Sequence, residues 1–119
     1  MKDFREYKVW EKSYDVTLAI YRKTAAFPRE ELFGLTSQIR RSCASIPANI
    51  AEGCGRGSNK DFARFLQISM GSASELECHL MLARDLKLLN ISDYSELANQ
   101  TTEIKRMLTV LLQKVRAAI

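Results

Sequence analysis

From Phe62 to Ala83, apolar or small residues return at alternating intervals of four and three: Phe62, Leu66, Ser69, Ala73, Leu76, Leu80 and Ala83. A strand would need alternation by two, so only a long helix puts all seven on one face. The spacing predicts a helix from about Asn59 to Leu89. At roughly 1.5 Å per residue it spans on the order of 45 Å. A stripe of that length is buried only by other helices of similar length.

The rest of the chain supplies them. A first helix is predicted from Tyr7 to Ala25, with Tyr7, Trp10, Tyr14, Leu18, Tyr21 and Ala25 on one face and Val9, Val16 and Ile20 in a second apolar strip. Phe27-Pro28 ends it, because the residue before proline resists the α conformation. A second helix is predicted from Thr36 to Glu52, its stripe being Leu35, Ile39, Cys43, Ile46 and Ile50. Pro47 lies inside and cannot donate to the carbonyl of Cys43, so a kink is expected, with Ser42, Ser45 and Asn49 near the freed group. Gly53 reads as a left-handed cap. Ser58, with Asp61 three residues on, reads as the start of the third helix.

Asp93 with Glu96 marks a fourth start, and Leu97, Thr101, Ile104, Leu108, Leu111, Val115 and Ala118 continue from it. Small residues in the second helix (Ala44, Ser45, Pro47, Ala48, Ala51) and in Ser69–Ser74 predict close packing of helices two and three. The expected fold is all-α: one domain over residues 1–119, a left-handed up-down-up-down four-helix bundle.

Composition agrees. With 46% apolar and 27% charged residues the chain is neither disordered nor fibrous, and only five glycines and two prolines interrupt it. The three cysteines, Cys43, Cys54 and Cys78, make an odd set at irregular spacing. That argues against a disulfide framework and for a reducing cytoplasm. Cys43 and Cys78 are expected in the core, Cys54 in a loop. MKDFREYKVW lacks the apolar core of a secretion signal, and no stretch is long enough to span a bilayer.

Catalytic chemistry has little to stand on. The single His79 follows Cys78, and adjacent helical side chains diverge by about 100°. Glu75 and Glu77 diverge likewise. GCGRGS lacks the Gly-Lys-Ser/Thr ending of a phosphate loop and follows a helix instead of a strand. No metal set and no cofactor site is expected, and the chain is read as a non-enzyme.

Charge points elsewhere. The net charge is +4. Arg56, Lys60 and Arg64 surround the predicted start of helix three, whose free N–H groups attract anions. Arg40 and Arg41 lie on helix two, and Lys105, Arg106, Lys114 and Arg116 on helix four. These residues suit RNA or single-stranded DNA; the plainer alternative is a solvated face balanced by Glu52, Asp61 and Glu103. Helix one carries two apolar strips. Ile68, Met70, Met81, Leu82, Met107, Val110 and Leu112 lie outside the main stripes of helices three and four. That surplus predicts a second buried surface, hence a homo-oligomer; the plainer alternative is a wide core-facing stripe.

GLTSQIRR, SIPANIAEG and GRGSNKDFARFL, together with FREYKVW and SASELECHLMLARDL, resemble the small helical proteins encoded by intervening sequences in bacterial 23S ribosomal RNA genes. The resemblance covers nearly the whole chain. It implies a four-helix bundle assembled as a ring-like homopentamer, and kinship with the basic accessory variability protein of diversity-generating retroelements. The partners it implies are further copies of the chain, nucleic acid, or a protein such as a polymerase or reverse transcriptase.

Overall fold

The computed structural model describes residues 2–119. Its elements are α1 (Lys8–Thr24), α2 (Leu35–Cys54), α3 (Asn59–Asp85) and α4 (Ile91–Ala117), with short 3-10 turns at Phe4–Glu6 and Arg29–Glu31 and no strand among the described residues. The molecule measures 45 × 23 × 19 Å. One cluster of buried side chains draws on all four helices. α1 packs on α2 and α4, and α3 packs on the same two, while the backbones of α1 and α3 stay apart on the diagonal of the bundle.

The stripes expected of α2 and α3 are buried throughout. Ser69 Oγ donates to the carbonyl of Ile46 at 2.9 Å, and the hydroxyls of Ser45 and Ser72 share a hydrogen bond of 2.8 Å. These contacts hold the two small-residue stretches together. Gly71 does not join them: a Cβ there would meet nothing within 4 Å. Ala73, by contrast, is fully buried. Ala73→Leu should therefore cost about 1–2 kcal/mol by overpacking, whereas Gly71→Leu should be neutral or slightly stabilising through helix propensity. Chemical denaturation of the two variants checks this; equal losses would contradict the placement of Gly71.

α2 runs unbroken through Pro47. The three side chains expected to serve the Cys43 carbonyl are engaged elsewhere. Ser42 Oγ donates to the carbonyls of Gln38 and Ile39, Ser45 meets Ser72, and Asn49 donates to Ser45. Thr17 of α1 lies over that carbonyl instead, at 3.4 Å. Its hydroxyl bonds more closely to Ser13 O, at 2.7 Å.

Gly53 is not the left-handed cap. It lies within α2, and the positive φ of the connection falls on Gly57, at 88°. Gly53 serves a different need, close approach: a Cβ there would sit 2.6 Å from Cβ of Phe65. Helix four also starts earlier than Asp93. Asn90 is its cap, accepting from the Asp93 N–H at 2.7 Å. Along α4 the buried row passes through Leu108, Leu112 and Val115, with Leu111 at its edge and Ala118 exposed. A straight helix drifts by about 20° per heptad, which moves the stripe from position 111 to 112.

α1 reverses the expected priority of its strips. Val9, Ser13, Val16, Ile20 and Thr24 face the core, while Tyr14, Leu18 and Tyr21 are each more than 40% exposed. The buried hydroxyls bond back to their own helix, Ser13 to Trp10 O at 2.9 Å and Thr24 to Ile20 O at 2.7 Å. Cys78 is also exposed, not part of the core. Burial pushes the Cys43 thiol up to about 11, so it remains a protonated packing group.

Candidate nucleic-acid interface

The α2–α3 junction is shaped by Gly57 and by Ser58, whose hydroxyl accepts the Asp61 N–H at 3.1 Å. The first turn of α3 therefore leaves this junction with exposed cations around it. Arg56 and Arg64 converge there over the same ring. Their guanidinium carbons lie 5.0 and 4.5 Å from the centroid of Phe65, which they cover. Each is also near a carboxylate, Arg56 at 3.9 Å from Glu52 and Arg64 at 3.9 Å from Asp61. Both pairs are exposed, so their attraction is weak and a phosphate could compete for either arginine.

Lys60 is exposed beside them. It shares a shallow depression with Asp61, Arg64, Gln67 and Arg116. Arg116 comes from the far end of α4 and donates to Gln67 Oε1 at 3.0 Å. The sequence singles out the α3 cations but not Arg116 as their neighbour, because that contact depends on the register between α3 and α4.

Arg40 and Arg41 lie elsewhere. Arg41 bonds to Gln38 and forms an ion pair with Glu75, far along α3 from its start. Arg40 donates to Thr24 Oγ1 at 2.9 Å, and its guanidinium carbon lies 4.7 Å from the Tyr21 centroid. About 15 residues of helix separate Arg41 from Arg56, roughly 22 Å of rise. The five arginines and lysines thus form two groups: Arg56, Lys60 and Arg64 at the junction, and Arg40 and Arg41 in the second turn of α2, towards the α1–α2 connection.

The acidic residues of α3 are taken up by cations. Glu77 receives Lys105 Nζ at 2.6 Å, and Glu75 pairs with Arg41. Among the described residues no group of three or more His, Cys, Asp or Glu side chains is placed to hold a metal ion. No helix of the described residues is long and apolar enough to cross a membrane.

The fold is that of a small all-α protein built on four helices. The sequence profile of the 23S rRNA-intervening sequence protein family matches residues 5–110. The chain belongs to that family. Among solved structures it is similar to a protein of unknown function from the S23 ribosomal protein family of Bacteroides thetaiotaomicron. The two are 29% identical with a TM-score of 0.81, over 88% of this chain and 95% of the other. No curated protein matches the chain.

Proposed function

We propose that this protein is a non-enzymatic, self-assembling helical bundle of the cytoplasm that binds RNA or single-stranded DNA through its basic surface. The observation that carries the binding is the gathering of Arg56, Lys60, Arg64 and Arg116 around the start of α3. Free N–H groups and the helix dipole add to their attraction for phosphate. Arg40 and Arg41 contribute separately, as a second contact along the bundle.

Cross-helix contacts support an up-down-up-down order. Arg41 meets Glu75 while Ser45 meets Ser72; Thr24 meets Arg40 while Thr17 meets Cys43; Gln67 meets Arg116 while Glu77 meets Lys105. In each pair of helices, one position rises as its partner falls. A left-handed twist fits bundles of this order.

The exposed apolar side chains support assembly. Tyr14, Leu18 and Tyr21 are exposed on one face of α1; Ile68, Met81 and Leu82 are exposed at separate places on α3, and Leu86 just beyond its end. The backbones of α1 and α3 lie diagonally across the bundle, so these exposed side chains lie on different sides of it. A contact of one set with the other is heterologous and closes into a ring when the rotation permits. The family resemblance sets the expected number at five. Light scattering after size exclusion should give a pentamer of the 13.6 kDa chain; a monomer mass at micromolar concentration would refute assembly.

Binding should be weak per site, tolerant of sequence and steep in salt, with a slope of about −0.7 per phosphate contact on single strands. Repetition around a ring would raise the total by avidity. The deciding experiment is a titration of labelled single-stranded RNA with the parent and with Arg56→Glu, Lys60→Glu and Arg64→Glu combined. The triple variant should lose binding while retaining helicity and mass. Binding equal to the parent at low salt would reduce the cations to a solvated face.

A further inference from the structure

α1 and α4 share a seam that is closed at one end and open at the other. Lys23 Nζ meets Asp93 Oδ1 at 2.8 Å at the closed end. Towards the start of α1 the seam widens into a groove of about 620 Å³. Its apolar lining is Val9 from α1, and Met107, Val110 and Leu111 from α4. Val110 is 51% exposed. Lys2 and Lys8 line the groove from the α1 side, Arg106 and Lys114 from the α4 side. Among the described residues none of these four cations has a carboxylate within 4.0 Å, whereas Arg41, Arg56 and Arg64 each do. Glu103 is the one acid lining the groove.

From this charge pattern we infer that the α1–α4 groove is a docking site for an acidic amphipathic helix of a partner protein. Arg106, Val110 and Lys114 recur every fourth residue, so cation, apolar side chain and cation follow one another over about 12 Å of α4. A helix laid along the groove would place apolar side chains at i, i+3, i+4 and i+7 on this apolar lining. Its flanking carboxylates would reach cations on both sides. Four unpaired cations against one acid favour an acidic partner and speed its approach.

A nucleic-acid strand fits less well. Its phosphates would lie over aliphatic side chains, and base binding relies on open aromatic faces. The ring of Tyr7, the aromatic lining residue, already has Lys2 Nζ at 4.6 Å from its centroid. A second copy of this net-positive chain is also a poorer electrostatic match. The inference stands independently of RNA binding at the α2–α3 junction.

The test uses the full chain and a fluorescein-labelled synthetic peptide of about five turns, roughly 18 residues. The peptide carries leucine at i, i+3, i+4 and i+7 with glutamate on the flanks. A shuffled peptide of the same composition keeps the charge and destroys the apolar stripe. At about 0.15 M salt, anisotropy should show saturable binding of the striped peptide and at least about tenfold weaker binding of the shuffled one. Val110→Asp, and separately Lys8→Glu with Lys114→Glu, should each weaken the striped peptide by about tenfold or more. All three positions are exposed, and circular dichroism checks that the variants fold. Four results would each overturn the inference: no binding by the parent; equal binding of the shuffled peptide; groove variants that bind like the parent; or a change in oligomer mass in those variants, which would assign the groove to a second copy. Loss of oligouridylate binding on Val110→Asp would likewise assign it to nucleic acid.

Discussion

Gly53→Ala should destabilise the protein by about 2–3 kcal/mol, a fall in Tm on the order of 10 °C for a chain of this size. Alanine is the better helix former by about 1 kcal/mol, and that gain opposes the loss. The clash is larger. The added Cβ would lie 2.6 Å from Cβ of Phe65, 3.1 Å from Cδ1 of Phe62 and 3.4 Å from Cα of Phe62. Two of these atoms are fixed to the α3 backbone, so relief requires α2 and α3 to move apart. Gly55→Ala is the matched control, because its Cβ would meet nothing closer than 3.6 Å. Calorimetry of both variants decides the matter. A Gly53→Ala protein as stable as its parent would mean that the helices do not approach this closely.

Phe62→Ala should cost about 3–5 kcal/mol, with a fall in Tm on the order of 15 °C. Phe62 is 1% exposed and packs against the Tyr7 ring, centroid to centroid at 5.5 Å. It therefore ties the segment before α1 to the first turn of α3. Its removal opens a cavity beside Gly53 that neither helix backbone can readily close. Phe33, 92% exposed in the α1–α2 connection, provides the contrast: Phe33→Ala should fall within about 0.5 kcal/mol of the parent. Urea titration separates the two outcomes, and a small loss at Phe62 would show that the junction is loosely packed.

The junction ties the fold to the proposed binding. Arg56 and Arg64 cover Phe65, and Phe65 faces Gly53. A variant that parts α2 from α3 should therefore disturb the cations as well as stability. Binding measured on Gly53→Ala has to be read beside its folded fraction.

The candidate site was legible in the sequence where it is local. Ser58 caps α3, and Arg56, Lys60 and Arg64 follow from positions within one turn or two of that cap. The pairing of Arg41 with Glu75, the stacking of Arg40 on Tyr21 and the arrival of Arg116 were not legible. Each joins residues at least 19 positions apart, and nothing in the spacing along one helix fixes the register against its neighbour. The unpaired state of the groove cations is hidden for the same reason.

By itself, the sequence determined that the chain is helical, that four helices form, and which stripe of α2 and of α3 is buried. Periodicity is a property of one element, and in these two helices a single apolar sector stands out. Only the tertiary structure decided α1, where two sectors compete. The strip with Val9, Val16 and Ile20 went inward because its β-branched residues, with Ser13 and Thr24 bonded to their own backbone, fit between α2 and α4. The bulkier tyrosines were left outside. Gly53 likewise reads as a turn residue in one dimension and becomes a contact residue only when α3 passes within reach of its missing Cβ.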